Sequence, residues 1–288
     1  MKTTDRATQP AVVLTGAGSG IGAACAVALS QAGHRVFAGV RWEPDAGAWQ
    51  GGRAELITPL MLDVTDAGSI ARAAAEVEEI VGEAGLAGLV NCAGIVLGGP
   101  LEFLAPVELR RQLDVNVVGQ VAVTQAFLPL IRRDHGRIVN VGSVSGRNAL
   151  PFLGPYAASK FALRALNDAL RVELRPWGIP VILIEAGSIA TGIWAKGAAE
   201  AHRQFAGFPP AARGLYGKQL DTLTTRVVEL GERGLPAQRV AETVTLALTV
   251  RHPQAHYAVA PAGRRWLTRL LGVLPTGLRD RLVLRALR

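Results

Sequence analysis

The sequence predicts a single α/β domain in which a doubly wound parallel β-sheet lies between two layers of helices, a three-layer α/β/α sandwich. Apolar runs rich in β-branched residues alternate with Ala-, Leu- and Glu-rich stretches of helical length, an order typical of βαβ units. The strand-like runs are apolar throughout, which indicates burial on both faces of the sheet. With 288 residues the chain can bury a large core.

Each strand is predicted from its own short apolar run. These runs are AVVLT (11–15), RVFAGV (35–40), LITPLML (56–62), AGLVN (87–91), RIVNVG (137–142), PVILIE (180–185) and AHYAV (255–259). Helical stretches follow at about 20–32, 67–83, 107–133, 156–176, 217–231 and 236–251. The Gly- and Pro-rich span 186–214 is predicted to be irregular. Because it follows a strand end, where open α/β sheets bind ligands, we expect a substrate lid at about 186–217.

Composition excludes several classes of protein. Hydrophobic residues make up 49% and charged residues 19%, with a mean hydropathy of +0.26, so the chain is too apolar to be disordered. No run reaches the roughly 18 apolar residues of a membrane span. Two cysteines, Cys25 and Cys92, lack metal-ligand spacing with the five histidines, so no metal site is expected. The predicted location is cytoplasmic.

The positive charge is concentrated at the C-terminus. Residues 263–288 contain seven arginines and one aspartate, which accounts for six of the eight net positive charges. Aromatic residues are only 5% of the chain, so nucleic-acid binding is not expected. We therefore divide the chain into a catalytic domain, 1–262, and a basic amphipathic helical extension, 263–288. The extension either covers the core or lid, or makes peripheral contact with an anionic membrane through Trp266, Leu267, Leu270, Leu271, Leu274, Leu278, Leu282 and Ala286.

The first strand runs into a glycine-rich turn, TGAGSGIG, directly before a helix. Gly16, Gly20 and Gly22 allow a tight turn and a close approach of the backbone to a pyrophosphate, which then meets the free N–H groups of the helix. The spacing is TGxxxGxG, which differs from the Rossmann pattern GxGxxG. A plain glycine turn is the alternative, and the strand-loop-helix context favours dinucleotide binding.

A second group of residues indicates proton transfer. In YAASK, Tyr156 and Lys160 are four residues apart and so share one face of a helix. An ammonium beside a phenol is expected to lower the tyrosine pKa from about 10 toward neutrality, where the phenol can exchange a proton. Ser143 lies at a predicted strand end, where its hydroxyl could donate to a substrate oxygen.

Together these motifs resemble the short-chain dehydrogenase/reductase family over nearly the whole chain to about residue 260. The family pattern continues in LDVT with Asp63, in NCAG (91–94) and in LDVNVVG with Asn116. The resemblance implies a Rossmann-like fold, a catalytic set of Asn116, Ser143, Tyr156 and Lys160, and a water held by Asn116 in the proton relay. It implies cofactor contacts by Gly16, Ser19, Gly20, Ile21, Gly22, Arg41, Asp63, Val64, Asn91, Ala93, Gly94, Tyr156, Lys160, Ile189 and Thr191.

Two positions depart from the family pattern. Cys92 replaces the second asparagine of NNAG, which is a small apolar change. Ala186 stands where the family has proline after the sixth strand, so we expect a looser backbone before Ile189 and Thr191.

The choice of cofactor depends on the end of the second strand. An acidic residue there binds the ribose diol of NAD, whereas this chain has Val40 followed by Arg41. A guanidinium suits the 2′-phosphate of NADP. We therefore favour NADP(H), with NAD(H) as the alternative, because Arg41 could also be a solvated loop residue.

The predicted reaction is hydride transfer between a nicotinamide and a secondary alcohol or ketone. Within the family the chain resembles the branch of 17-beta-hydroxysteroid and retinol dehydrogenases, which implies a lipophilic steroid- or retinoid-like substrate. The resemblance also implies a homodimer or homotetramer. The alternative is a non-catalytic dinucleotide-binding regulator or membrane-associated scaffold, and a nucleotide-sugar epimerase is a further rival.

Overall fold

The computed structural model describes residues 9–42, 47–261 and 274–286. The strands are Ala11–Leu14 (β1), Arg35–Val40 (β2), Ile57–Met61 (β3), Gly88–Asn91 (β4), Arg137–Ser143 (β5), Val181–Ala186 (β6), Ile189–Ala190 (β7), Leu235–Pro236 (β8) and His256–Val259 (β9). The helices are Gly20–Gln31 (α1), Ala67–Val81 (α2), Pro106–Leu113 (α3), Gly119–Arg133 (α4), Gly154–Glu173 (α5), Ile193–Ala206 (α6), Pro210–Glu232 (α7), Gln238–Thr249 (α8) and Thr276–Ala286 (α9).

Seven parallel strands form one sheet in the order β3-β2-β1-β4-β5-β6-β9. The connection reverses direction between β1 and β4, so the carboxyl ends of these two strands form the switch point at which such sheets bind ligands. The predicted doubly wound α/β fold in a single domain is confirmed.

The core lies on both faces of this sheet, and its central strands are covered on both sides. In β1, Val12 and Leu14 pack toward α1 and α8, while Ala11 and Val13 pack toward α2 and α4. Side chains of a strand alternate between its faces, so a strand buried on both sides must be apolar at every position. This explains the continuous apolar runs in the sequence.

The span predicted to be irregular is mostly helical, and that prediction was wrong. It contains β7, α6 and the start of α7. Three of its glycines and prolines lie at helix ends, where they are compatible with helix: Gly192 and Gly207 flank α6, and Pro210 is the first residue of α7. The sequence pattern predicted that these residues interrupt regular structure, whereas in the structure they mark where helices begin and end. Gly197 and Gly214 lie within the two helices.

The long helix predicted over 107–133 is continuous but not regular. α3 and α4 are joined by a π turn, Asp114–Val118. By length and composition the stretch Pro106–Arg133 could cross a membrane, contrary to the expectation that no segment is apolar enough. Here its C-terminal half packs on the sheet through Val123, Phe127 and Ile131, which accounts for its apolar composition.

The C-terminal extension is described only in part. The predicted amphipathic positions Trp266, Leu267, Leu270 and Leu271 lie outside the described residues. Helix α9 carries Leu278, Leu282 and Leu284 with 39–56% of their surface exposed. The described part of the extension therefore presents apolar side chains to its surroundings.

Candidate active site

The glycine turn between β1 and α1 is packed against the loop after β4. Gly16 has φ +69°, and a Cβ there would lie 2.8 Å from the Cα of Ala93. A Cβ on Gly22 would lie 2.1 Å from the carbonyl oxygen of Gly16. Glycine is thus required at both positions by close backbone contact. Ser19 is exposed and makes no side-chain capping bond at the start of α1, and Ile21 packs on the core.

Thr15 joins the two loops at the switch point. Its hydroxyl oxygen accepts hydrogen bonds from the backbone N–H groups of Cys92 and Ala93, both at 3.0 Å. Its own N–H donates to the carbonyl of Val90 at 3.0 Å. A helix N-terminus and an exposed glycine turn are thereby fixed beside the NCAG segment. This arrangement fits a dinucleotide pyrophosphate.

Asn91 has a structural place in the NCAG segment. Its Nδ2 donates to the hydroxyl of Thr124 at 3.0 Å and to Oδ1 of Asn140 at 2.9 Å. Asn140 in turn donates to Oδ1 of Asn167 at 3.0 Å. These buried amides connect β4, β5, α4 and α5 below the site. Gly94 lies close to Asn116, since a Cβ on it would be 3.4 Å from the Asn116 Oδ1.

Ser143, Tyr156 and Lys160 form one buried cluster at the carboxyl end of β5 and the first turns of α5. The Tyr156 hydroxyl is hydrogen-bonded to the Ser143 side chain. Lys160 donates from Nζ to the carbonyl oxygen of Val141 at 3.0 Å, and Nζ is 5.9 Å from the centre of the Tyr156 ring. The structure thus brings together three of the four predicted catalytic residues.

The expected lowering of the Tyr156 pKa is not found in this structure. Burial raises the pKa of Tyr156, and the hydrogen bond from Ser143 opposes that rise. Burial also lowers the pKa of Lys160 to about 8, with an opposing effect from Cys92. The four-residue spacing correctly places the two groups on one helix face, but it does not show how far both are removed from water.

Asn116, the fourth predicted catalytic residue, lies in the π turn and is fully buried. Its Oδ1 accepts from the N–H of Ile95 at 2.9 Å, and its Nδ2 donates to the Ile95 carbonyl and to Ser159 Oγ, both at 3.0 Å. Ser159 donates to the carbonyl oxygen of Tyr156 at 2.7 Å. The Asn116 side chain therefore reaches the catalytic helix through Ser159. π turns often occur at functional sites.

The carboxyl end of β3 lines a groove beside β2. Asp63 and Arg41 both line it, together with Arg72 of α2. Asp63 Oδ1 accepts from the N–H and the hydroxyl of Thr65, at 2.9 and 2.7 Å. Arg41 is exposed and stacks on Trp42, with its guanidinium carbon 4.4 Å from the ring centre. Val64 is buried next to the groove.

Ile189 and Thr191 follow β6, and Thr191 lies close to Gly20 of the glycine turn. Ile189 is buried in β7, and the Thr191 side chain would lie 3.3 Å from a Cβ on Gly20. Ala186 continues β6 in register with Ser143 and Val259, so the strand does not loosen at the missing proline.

Helices α6 and α7 pack over Tyr156, in the region where a substrate lid is expected. Trp194 of α6 stands edge-on to Tyr156, with ring centres 5.9 Å apart and planes at 76°. A cavity of about 20 Å³ remains beneath these two helices. Its lining is mainly apolar: Val96, Gly98, Gly99, Phe152, Leu153, Trp194, Gly197, Ala198, Ala201, Leu220, Leu223, Thr224 and Val227.

Several site residues were missed by sequence reasoning. Arg72 lies in an Ala- and Glu-rich helix whose pattern contains no phosphate-binding signal. Glu185 reads as the polar end of an apolar strand, yet it is buried. Trp194 lies within the span 186–217, and no local pattern places it beside Tyr156, because only the folded chain brings the two rings together. Among the described residues, no group of three or more His, Cys, Asp or Glu side chains could hold a metal ion.

Comparison with known proteins identifies the family. The family model for short chain dehydrogenases matches residues 10–201. The NADPH-dependent 3-dehydrocapnine reductase of Ornithobacterium rhinotracheale is 36% identical over 86% of this chain and 87% of its own. Mouse retinol dehydrogenase 16 is 36% identical, covering 94% of this chain and 87% of its own. Human 17-beta-hydroxysteroid dehydrogenase type 6 is 34% identical, covering 96% and 88%.

The fold is also that of known members. The structure of a short chain dehydrogenase from Burkholderia cenocepacia in complex with NADP matches with a TM-score of 0.71 at 25% identity. The match covers 96% of this chain and 98% of that one. This chain therefore belongs to the short-chain dehydrogenase family, in the branch of the retinol and 17-beta-hydroxysteroid dehydrogenases, and is an oxidoreductase that acts on CH–OH donors.

Proposed function

We propose that this protein is an NADP(H)-dependent alcohol dehydrogenase or carbonyl reductase for a lipophilic substrate. The observation that carries the proposal is the buried cluster of Ser143, Tyr156 and Lys160 next to the glycine turn. Strand β4 lies between β1 and β5, so the glycine turn after β1 and the cluster after β5 lie at the same edge of the sheet. The Thr15 hydroxyl accepts from the N–H groups of Cys92 and Ala93 and so joins the turn to the loop after β4.

In the mechanism a bound nicotinamide supplies or accepts the hydride. Tyr156 gives its hydroxyl proton to the carbonyl oxygen during reduction and takes it back during oxidation. Ser143 holds the Tyr156 hydroxyl and donates to the same substrate oxygen as negative charge develops there. Lys160, held on the Val141 carbonyl, places a positive charge near the phenol and can bind the nicotinamide ribose. Asn116 and Ser159 anchor the start of α5.

The preference for NADP(H) is supported by two arginines in one groove. Arg41 and Arg72 line it from β2 and α2, and a guanidinium pairs with a phosphate dianion through two hydrogen bonds. Val40 stands where a ribose-binding carboxylate would be, and Arg41 follows it. A relative named as NADPH-dependent supports the same choice.

The apolar lining of the cavity supports a lipophilic substrate, and relatives named for retinol and steroid substrates point to the same class. A cavity of about 20 Å³ is far smaller than such a molecule. Ligand pockets commonly reach about 300 Å³ or more. We therefore infer that α6 and α7 move apart when substrate enters.

We further propose a cytoplasmic homodimer or homotetramer. Exposed apolar side chains on α5, namely Phe161, Leu166 and Val172, support self-association. Peripheral membrane contact through the extension is supported by the exposed leucines of α9 and the arginines between them.

The test is turnover by the purified protein and by Tyr156→Phe. NADPH oxidation at 340 nm with a panel of small, steroid and retinoid carbonyls is expected for the wild type. Tyr156→Phe should lose at least about 1,000-fold in kcat while its NADPH Kd stays within about twofold, because it removes the proton donor alone. Tyr257→Phe, which removes a hydroxyl bonded to the Gln254 N–H on the edge strand, is the matched control. NADPH binding by the wild type without turnover on any compound would favour the regulator alternative.

A further inference from the structure

The Glu185 side chain forms a charged cluster with two arginines near the catalytic residues. It lies in β6, and its side chain is only 6% exposed. Arg147 binds it with two hydrogen bonds, Nε to Oε1 at 2.7 Å and Nη2 to Oε2 at 2.8 Å. Arg164 donates from Nη1 to Oε1 at 2.8 Å. Charge-assisted, two-pronged pairs of this kind fix orientation as well as distance.

The two arginines belong to the two elements that carry the catalytic groups. Arg147 follows directly after the short 3₁₀ turn Val144–Gly146, which begins at Ser143. Arg164 is one helical turn beyond Lys160 on α5. Glu185 is the register partner of Gly142, so it also lies next to the last residues of β5. One carboxylate thus connects β6, the turn after Ser143 and the catalytic helix.

The turn itself has little freedom once Arg147 is held. The Arg147 N–H donates to the Val144 carbonyl at 3.1 Å, and the Ser145 N–H donates to Ser143 Oγ at 3.1 Å. A Cβ on Gly146 would lie 2.8 Å from the Lys160 carbonyl oxygen, so the turn packs directly on the backbone of α5. A shift of Arg147 therefore changes the position of Ser143 relative to Tyr156.

We propose that Glu185 is a positioning residue for the reaction: it holds the Ser143 turn against α5 through Arg147 and Arg164, and so keeps the Ser143 hydroxyl on Tyr156. The expected loss of turnover rests on the proposed function, whereas the role of Glu185 in holding the Ser143 turn does not. A carboxylate suits this place because it can accept from both guanidinium groups at once. A neutral amide of the same shape would turn an N–H₂ toward one of them.

The kinetic test uses Glu185→Gln. We expect kcat for carbonyl reduction to fall by at least tenfold, while the NADPH Kd stays within twofold, since the glycine turn and the groove are not touched. Arg147→Met should give a similar loss, and the double variant should lose no more than the larger single loss, because both remove the same link. The matched control is Glu78→Gln, which removes the carboxylate partner of Arg133 between α2 and α4, far from the cluster.

A second measurement does not depend on turnover. Hydrogen exchange of peptides covering 143–147 is expected to be at least tenfold faster in Glu185→Gln and Arg147→Met than in the wild type and Glu78→Gln. If Glu185→Gln does not fold, the same measurement on Arg147→Met decides the question. The Arg147 side chain is partly exposed, and in this variant Glu185 keeps its ion pair with Arg164, so we expect the variant to fold.

The outcomes separate this inference from the proposed function. A wild type without turnover contradicts the function, and the exchange rates still decide the role of Glu185. Unchanged exchange in 143–147, or a kcat within twofold of an active wild type, overturns the inference. The inference is also overturned if the fold-loss of kcat in the double variant equals the product of the two single losses.

Discussion

At the scale of single residues, the chemistry of the site depends on how deeply Lys160 is buried. Its pKa is lowered to about 8 because burial disfavours the ammonium, although Nζ keeps a hydrogen bond to Val141. Tyr156 is buried beside it, and burial raises the pKa of that phenol. Each group therefore resists its charged form, because burial disfavours both the phenolate and the ammonium.

We predict a stability difference that follows from the Lys160 pKa. In the unfolded chain this lysine has its ordinary pKa near 10.5, so between pH 8 and 10.5 the unfolded state binds more protons than the folded one. The free energy of unfolding should therefore rise with pH across that window, by about 3 kcal/mol in total, relative to Lys160→Met. Urea unfolding without added cofactor at pH 7, 8, 9 and 10 measures it. Lys218→Met, which removes an exposed lysine of α7, should keep the wild-type slope. Equal slopes for Lys160→Met and wild type would contradict the prediction.

A second prediction concerns the two groove arginines. Arg41→Ala and Arg72→Ala should each raise the Kd for NADPH by about tenfold, equivalent to about 1.4 kcal/mol, and change that for NADH by less than twofold. The reason is that only NADPH carries the 2′-phosphate. Cofactor fluorescence titration measures both constants. Arg53→Ala, an exposed arginine paired with Glu55, is the control. If the variants weaken NADPH and NADH binding equally, Arg41 and Arg72 do not bind the 2′-phosphate.

At the scale of elements, helices α6 and α7 hold Trp194 against Tyr156. Trp194 stands edge-on to Tyr156, and Gly231 of α7 lies directly behind it, since a Cβ there would be 2.6 Å from Trp194 Cδ1. The indole therefore has no room to move away from the tyrosine unless α6 and α7 separate. Under the proposed function, substrate entry therefore requires α6 and α7 to separate.

We therefore predict that Trp194→Ala changes the order of substrate preference. The ratio of kcat/KM for a bulky polycyclic ketone to that for a small cyclic ketone should rise at least tenfold, because the indole occupies space next to the proton donor. Trp177→Ala, which removes a half-exposed indole stacked on Arg132, is the matched control. An unchanged ratio in a folded, active Trp194→Ala protein would show that the indole does not limit substrate size.

At the scale of the whole molecule, the sheet is complete at Val259, before the basic extension begins. Helix α9 exposes Leu278, Leu282 and Leu284, and therefore contributes little buried area to the core. The two interpretations of the extension make different demands on stability. A helix that covers the core is needed for folding, whereas a membrane-binding helix is not.

Deletion of residues 276–288 distinguishes these interpretations. We expect the Tm to change by no more than about 2 °C, and binding to phosphatidylserine-containing vesicles in a sedimentation assay to be lost. Vesicles of phosphatidylcholine alone are the control, since they lack the charge that attracts arginine. A large drop in Tm would instead assign α9 to the core.

Local pattern was sufficient for the sheet, for the glycine turn and for the shared helix face of Tyr156 and Lys160. These features depend on strand periodicity, on a turn that needs glycine, and on a spacing of four residues, all of which are short-range properties. The same reasoning failed for the span 186–214, where glycines and prolines that end helices were taken as signs of irregular structure.

The sequence by itself determined the fold class, the family and the identity of the residues at the switch point. Tertiary structure alone decided that Lys160 binds the Val141 carbonyl, that Glu185 joins Arg147 to Arg164, and that Trp194 stands against Tyr156. The physical reason is separation along the chain. The Arg147–Glu185 partners are 38 positions apart, and they meet only when β5, β6 and α5 have assembled. Burial, which sets the pKa of Lys160, is likewise a property of that assembly.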